Sequence, residues 1–414
     1  MRKFFNRKNM KNPFLVSGYI SKEYFCDRVE ESKNLLKLVT NGNNVLLVSP
    51  RRMGKTGLIE HCFRNPNIKK DYYTFFVDIY ATSNLQTFTY KFGKEIFNQL
   101  KPKGKKFLEN FFAIISSLRP AFKLDENSGA PVFDIGIGEI RSPEFTLEEI
   151  FKYLNLSDKP CIIAIDEFQQ IAKYPEKNIE ATLRTHIQKT TNSAFIFSGS
   201  QRHILHEMFF SASKPFYQSA VLQSLDVICK SEYIKFASNL FKKGKKIVDN
   251  SFIEKAYNLF EGHTFYVQSV LNQLFSELDE NEKCTNKIFE KAVINRIFSY
   301  NTLFSEILNL LPDRQKECLY AIAKEGKTTN ITSGDFIKKH ALHSSASVQT
   351  AVRQLIDKEL LTKNLNIYSV YDRFFDFWLK SNFGAVELLN LDKFIYRTEA
   401  KITLSHTPPT TAKL

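Results

Sequence analysis

Residues 45–56 read Val45-Leu46-Leu47-Val48-Ser49-Pro50-Arg51-Arg52-Met53-Gly54-Lys55-Thr56, and a helical pattern follows from Gly57-Leu58-Ile59. An apolar run that enters a tight basic loop and leaves as a helix is the context a phosphate-binding loop needs. Backbone N–H groups at a helix N-terminus cradle anionic oxygens, and the helix dipole favours them. Lys55 is then expected to reach the outer phosphates, and the Thr56 hydroxyl to ligate Mg²⁺. The nucleotide contacts are expected along Ser49, Pro50, Arg51, Arg52, Met53, Gly54, Lys55, Thr56 and Gly57. The usual pattern begins with Gly where Ser49 stands, so the loop is a variant. Gly-Lys-Thr by itself also occurs in unrelated turns.

A second stretch makes the first specific. Cys161-Ile162-Ile163-Ala164-Ile165-Asp166-Glu167-Phe168 is a near-continuous apolar run ending in two acids, about 110 residues after the loop. Such a run reads as a strand buried on both faces, as in a parallel sheet. Its C-terminal end is where ligands bind in open α/β sheets. Asp166 is expected to hold the Mg²⁺, and Glu167 to take a proton from an attacking water. The competing reading is a buried strand with an acidic capping turn.

The chain has 414 residues, enough for two or three domains, and Phe is over-represented at 38. It contains no run of about 18 apolar residues of the kind a membrane span needs. The start, Met1-Arg2-Lys3-Phe4-Phe5, is basic without a secretion-type apolar region behind it, which makes the cytoplasm the expected location. The six cysteines, at 26, 62, 161, 229, 284 and 318, form no CxxC pair and suggest neither disulfides nor zinc. The net charge of +14 (58 basic minus 44 acidic residues) suits an anionic partner such as nucleic acid, and equally a soluble lysine-rich surface.

Along the chain, residues 1–20 read as a basic arm. Asp27 is placed to cap a helix carrying Leu35, Leu36, Leu38 and Val39. Tyr73–Tyr80 reads as a second strand, whose Asp78 either caps the next turn or faces the site. Thr87–Leu100 and Phe107–Leu118 read as helices, and Pro120–Glu139 as a β-hairpin inserted into the domain. Phe145–Leu154 is an amphipathic helix with a capping box at Thr146-Leu147-Glu148-Glu149. Ser193–Ser200 reads as a third buried strand with small polar residues at its end. Ser198 or Ser200 there would orient water or sense phosphate, and Arg202 would reach phosphate or a neighbouring subunit; the alternative is a polar helix start. Ala220–Leu225 is expected to be the last strand. Strands alternating with helices predict a parallel α/β sheet.

From about 230 the periodicity is helical throughout, with Gly262-His263-Thr264 opening one helix as a cap or a nucleotide contact. Asp313–Lys324, Ser333–His340 and Ser345–Lys358, followed by Leu360–Lys363 and Ile367–Val370, give the winged-helix order. In that order Ser347, Gln349, Thr350, Arg353 and Gln354 lie where a recognition helix meets DNA. Winged helices also serve as packing and protein-contact modules.

Taken together, these residues resemble the archaeal-type ATPases, of the STAND branch of AAA-like P-loop proteins and related to origin-recognition ATPases. The resemblance is carried by Tyr24-Phe25-Cys26-Asp27-Arg28, Ser49–Thr56, Ile165-Asp166-Glu167-Phe168, Phe197-Ser198-Gly199-Ser200 and Tyr368–Phe374, and covers roughly residues 12 to 382. It implies a P-loop α/β domain over 21–229 with a hairpin insertion at about 119–140. A helical lid over 230–311, a winged helix over 312–385 and a tail over 386–414 would follow. It further implies that the segment around Arg28 borders the adenine, and that Ser198 or Ser200 senses bound phosphate. The family's lid usually carries Gly-x-Pro where this chain has Gly262-His263-Thr264. The expected activity is Mg²⁺-dependent ATP hydrolysis driving a switch of lid and winged helix. The alternative is a nucleotide-gated DNA-binding or signalling module with little turnover. ATP, DNA and a protein partner or second copy are the candidate partners, and Arg184 and Arg202 the candidate arginine fingers.

Overall fold

The computed structural model describes residues 12–100, 109, 113–117, 120–124, 131–135, 142–364 and 366–383. The basic segment 1–11, the tail from 384, residues 125–130 and 136–139 of the expected hairpin, and half of the helix expected over 107–118 lie outside them. The chain forms two compact units, Gly18–Val227 and a second made of residues up to Ser17 together with those from Ile228 onward.

The first unit is built on five parallel strands, β1 (Val45–Val48), β2 (Tyr73–Asp78), β5 (Cys161–Asp166), β6 (Ser193–Gly199) and β7 (Val221–Ser224), in the order β2-β5-β6-β1-β7. The period-2 pleat splits each apolar run between two cores. Leu46, Val48, Ile163, Ile165, Phe195 and Phe197 face one, with Phe88, Phe92, Phe151 and Phe168. Val45, Leu47, Ile162, Ala164, Ala194 and Ile196 face the other, with Leu35, Val39, Leu58 and Ile59. Helices therefore cover both faces at the centre of the sheet, which is why β1, β5 and β6 are apolar along their length instead of alternating. The remaining pair in this unit, β3 (Pro120–Leu124) and β4 (Pro131–Ile135), is an antiparallel hairpin apart from the main sheet.

Two local expectations are corrected. Asp27 does not cap the helix Val29–Thr40; Arg28 occupies the N-cap position, and both residues have positive φ (50° and 66°). That bend leaves Asp27 exposed and turns Arg28 into the interior. Thr146 does not open its helix, which starts a turn earlier at Pro143, where proline's fixed φ suits the first helical position. The Thr146 hydroxyl donates to the Ser142 carbonyl, and Glu149 is buried, accepting from the backbone and hydroxyl groups of Ser116 and Ser117.

The second unit is helical from Lys230 to Asn309, through Lys230–Lys243, Asn250–Leu259, Thr264–Glu277, Asn286–Phe298 and Asn301–Asn309. Residues 12–17, expected as part of an arm, belong to this unit. Phe14 is fully buried between Phe241 and Phe275, with ring centroids at 4.7 and 6.0 Å. The Asn12 amide donates to the Asn272 carbonyl at 2.8 Å, and the Asn272 amide donates to the Phe14 carbonyl at 2.6 Å. Asp313–Glu325, Gly334–Lys339 and Ser345–Asp357, then β8 (Leu361–Asn364) and β9 (Ile367–Val370), form a winged helix. Thr328 completes the wing by bridging to Tyr368. The helix Arg373–Phe383 ties it to the preceding helices: Phe374 packs on Phe260, Tyr266 and Tyr300, and the Trp378 indole donates to Asn301.

Candidate active site

Three strand ends converge because β5, β6 and β1 are neighbours. β1 runs into the basic loop, β5 ends at Asp166 and β6 at Gly199, and the register sets Leu47 beside Ser198 and Val48 beside Gly199. The loop turns through Arg52 (φ 67°) and Gly54 (φ 91°) into the helix Lys55–Phe63. At Gly54 only a residue without Cβ takes that φ without strain. The N–H groups of the helix's first turn have no partner within the helix and form its anion-attracting end.

Lys55 is buried, and its ammonium donates to the Ser49 carbonyl at 3.1 Å and Ser49 Oγ at 3.3 Å, with the Pro50 carbonyl at 3.5 Å. Burial pulls its pKa below the ordinary lysine value; Asp166 and Glu167 act to restore it, and Arg51 adds to the depression. Ser49, standing where the usual pattern has Gly, thus supplies two of the oxygens that hold this charge.

Asp166 is buried at the centre of the group. Thr56 Oγ1 donates to its Oδ2 at 3.0 Å, while Ser198 Oγ at 2.6 Å and the Glu167 N–H at 3.1 Å donate to Oδ1. Ser200 Oγ donates to Glu167 Oε2 at 3.2 Å. Sequence reasoning thus named Lys55, Thr56, Asp166, Glu167, Ser198 and Ser200, and the fold brings all six together. Arg28 lies next to the loop: its guanidinium pairs with Glu31 at 2.7 Å and donates to the Met53 carbonyl at 3.4 Å. Gly57 faces Phe25, whose ring a Cβ would meet at 3.5 Å.

Arg202 begins the helix Arg202–Phe210 and is exposed; among the described residues its side chain bonds to none of the Asp166 group. Arg184 donates to Gln188 along its own helix. Asp78 pairs in register with Asp166, but its carboxylate accepts from the Tyr80 N–H at 2.9 Å and so closes its own turn. His263 precedes the helix Thr264–Glu277 in the second unit, and burial, reinforced by Arg373, pushes its pKa down to about 4. It is uncharged at neutral pH, so the ring brings no positive charge to that helix start. Sequence reasoning passed over Gln169, which is buried and donates to Glu167 Oε2 at 2.5 Å. The described residues hold no cluster of His, Cys, Asp and Glu suited to a metal, and none of their helices is long and apolar enough to cross a membrane.

A parallel sheet carrying a basic Gly-Lys-Thr loop beside an acid-ended strand defines a P-loop ATPase, a nucleotide-binding enzyme. The family model described as "ATPase domain predominantly from Archaea" matches residues 25–270, and the chain belongs to that family. A second model, "Probable winged helix domain", matches residues 302–381. Among solved structures, the Walker-type ATPase PABY2304 of Pyrococcus abyssi is similar at 19% identity, over 89% of this chain and 99% of that one, with a TM-score of 0.63. The Aeropyrum pernix ORC2 protein, in its ADPNP–ADP complexes, is similar at 12% identity over 94% and 98%, with a TM-score of 0.59. At these identities the likeness is one of fold. No curated protein sequence matches the chain.

Proposed function

We propose that the protein hydrolyses ATP with Mg²⁺ and uses the change of nucleotide to switch its helical and winged-helix elements. The observation that carries this reading is the Asp166 carboxylate, held by Thr56 on one oxygen and by Ser198 on the other. Thr56 Oγ1 and Asp166 Oδ2 are hard oxygens within one hydrogen bond of each other, a donor set that fits Mg²⁺. When bound, the ion would neutralise charge on the phosphate oxygens. Lys55 and the first-turn N–H groups bind and orient the phosphates. Glu167 takes the proton of the attacking water as its oxygen bonds to the terminal phosphorus and the bond to the ADP oxygen breaks. Positioning and charge stabilisation supply the rate, without a covalent intermediate. Ser198 serves by holding Asp166, and Ser200 by holding Glu167. Arg28 keeps the adenine-side segment against the loop.

The ion pairs of Glu261 with Lys327 (2.8 Å) and Arg373 (3.0 Å) support a switch in which the helical elements and the winged helix move as one body. Steady-state hydrolysis by the full chain, Lys55→Ala and Glu167→Gln tests the enzyme reading. Lys55→Ala is expected to weaken ATP binding. Glu167→Gln is expected to bind ATP and turn it over at least about a hundredfold more slowly. Wild-type turnover in both variants would overturn it.

Duplex DNA is the partner we favour. Gln349, Thr350 and Arg353 are exposed on the third winged-helix helix, and the chain carries a net charge of +14. Phosphate contacts release counterions, so binding is expected to fall steeply between about 50 and 200 mM salt. Anisotropy with a labelled duplex measures it, and hydrolysis with and without DNA tells whether binding couples to turnover. Absent or salt-insensitive binding would turn the search to protein partners.

A further inference from the structure

We propose that Gln169 is a positioning residue for hydrolysis, fixing the Glu167 carboxylate by one oxygen so that the other is left for water. This rests on the reading of Glu167 as the proton acceptor. Glu167 has φ 58°, a left-handed conformation that non-glycine residues adopt at some cost and that often marks a working position. The bend ends β5 and starts the 3₁₀ turn Phe168–Lys173, closed by the Gln170 N–H on the Glu167 carbonyl at 2.9 Å. Phe168 is fully buried against Phe197, Phe209 and Phe216, so the turn is anchored between the two polar side chains. Gln169 is only 2% exposed, and its amide nitrogen lies 2.5 Å from Glu167 Oε2, to which Ser200 also donates. Among the described residues none donates to Oε1.

Two further observations set this amide apart from a packed core residue. Gln169 Oε1 is buried without a hydrogen-bond partner, so the side chain satisfies Glu167 and leaves its own carbonyl unmatched. Its space exists because β6 ends in Gly199, where a Cβ would lie 2.0 Å from Gln169 Oε1. The Glu167 carboxylate sets the amide's direction: the NH₂ end can face it, whereas the C=O end would be repelled. During proton transfer the proton leaves water for Oε1, and Oε2 continues to accept from Gln169 and Ser200. The carboxylate therefore need not rotate as it changes charge.

The test is steady-state hydrolysis by the full chain, against ATP concentration, for Gln169→Met, Gln169→Glu and Gly199→Ala, each alone and with Glu167→Gln. Gln169→Met keeps the volume and removes the donor; kcat is expected to fall about tenfold with KM for ATP little changed. Gly199→Ala, which leaves Gln169 in place but takes its room, is expected to do the same. Gln169→Glu replaces the donor with a second carboxylate that repels the first, and kcat is expected to fall at least as far as in Gln169→Met. With Glu167→Gln present, none of the three should lower the residual rate further. An equal fold-loss in both backgrounds, an effect on KM alone, or wild-type kcat in Gln169→Glu would overturn the proposal. If Glu167→Gln alone turns over like the wild type, the reading beneath it fails; if that variant is inactive while Gln169→Met is fully active, only the role of Gln169 fails.

Discussion

Thr56 Oγ1 donates to Asp166 Oδ2 at 3.0 Å across 110 residues of chain, joining the first turn of the loop helix to the end of β5. Thr56→Val removes this donor at nearly constant volume. It is expected to reduce hydrolysis by about tenfold or more and to raise the Mg²⁺ concentration needed for half-maximal rate. Thr56→Ser keeps the hydroxyl and should stay close to wild type. A magnesium titration of the steady-state rate for the two variants checks both.

Phe14→Ala should destabilise the helical unit by about 3 kcal/mol or more, because a fully buried ring between Phe241 and Phe275 leaves a cavity when removed. Urea unfolding followed by circular dichroism measures the loss. An effect below about 1 kcal/mol would be what an exposed arm gives.

Glu261 anchors the winged helix. Burial disfavours its charge, but Arg373, Lys327 and His263 outweigh this and hold its pKa below the usual carboxylate value. Glu261→Gln leaves the mostly buried Arg373 without its partner and is expected to cost about 2 kcal/mol. Lys327 is 44% exposed and adds little to that figure. In the double variant Glu261→Gln, Arg373→Met the cost should shrink, since no buried charge is then left uncompensated. Thermal unfolding of the single and double variants decides it.

His263 gives the second unit a pH dependence of definite sign. Its pKa is about 4 in the folded chain against an ordinary 6.5, so the unfolded chain binds the extra proton between those values. Stability contributed by the neutral ring is full above about pH 6.5 and is lost as pH falls toward 4. In His263→Gln the drop in melting temperature between pH 7 and pH 5 should be smaller than in the wild type.

The parts legible in the sequence are those whose signal lies within a few neighbouring residues. β1, β5 and β6 announce themselves because a strand covered on both faces must be apolar at every position, and the loop because phosphate chemistry restricts its residue types. Asn12 and Phe14 carried no such signal: their partners Asn272, Phe241 and Phe275 lie more than two hundred residues on, and the surrounding lysines and arginines dominate local composition. Gln169 was invisible for a related reason. A glutamine after two acids is unremarkable until a left-handed bend at Glu167 and a missing Cβ at Gly199 bring it against the carboxylate. Asp27 and Thr146 misled as helix caps because capping depends on backbone angles that the neighbouring Arg28 and Pro143 decided otherwise.

The lodging of Phe14 has a consequence for how the protein comes off the ribosome. Residues 12–17 are synthesised before the sheet, yet their core belongs to helices that begin at Lys230. The parallel sheet, complete by Ser224, is free to fold while this short apolar segment still waits for its place. The body bearing the winged helix closes only when the helices Lys230–Lys243 and Thr264–Glu277 take up a side chain made before the sheet. Everything between Ser17 and Ile228 is then, in sequence, an insertion flanked on both sides by segments of one core.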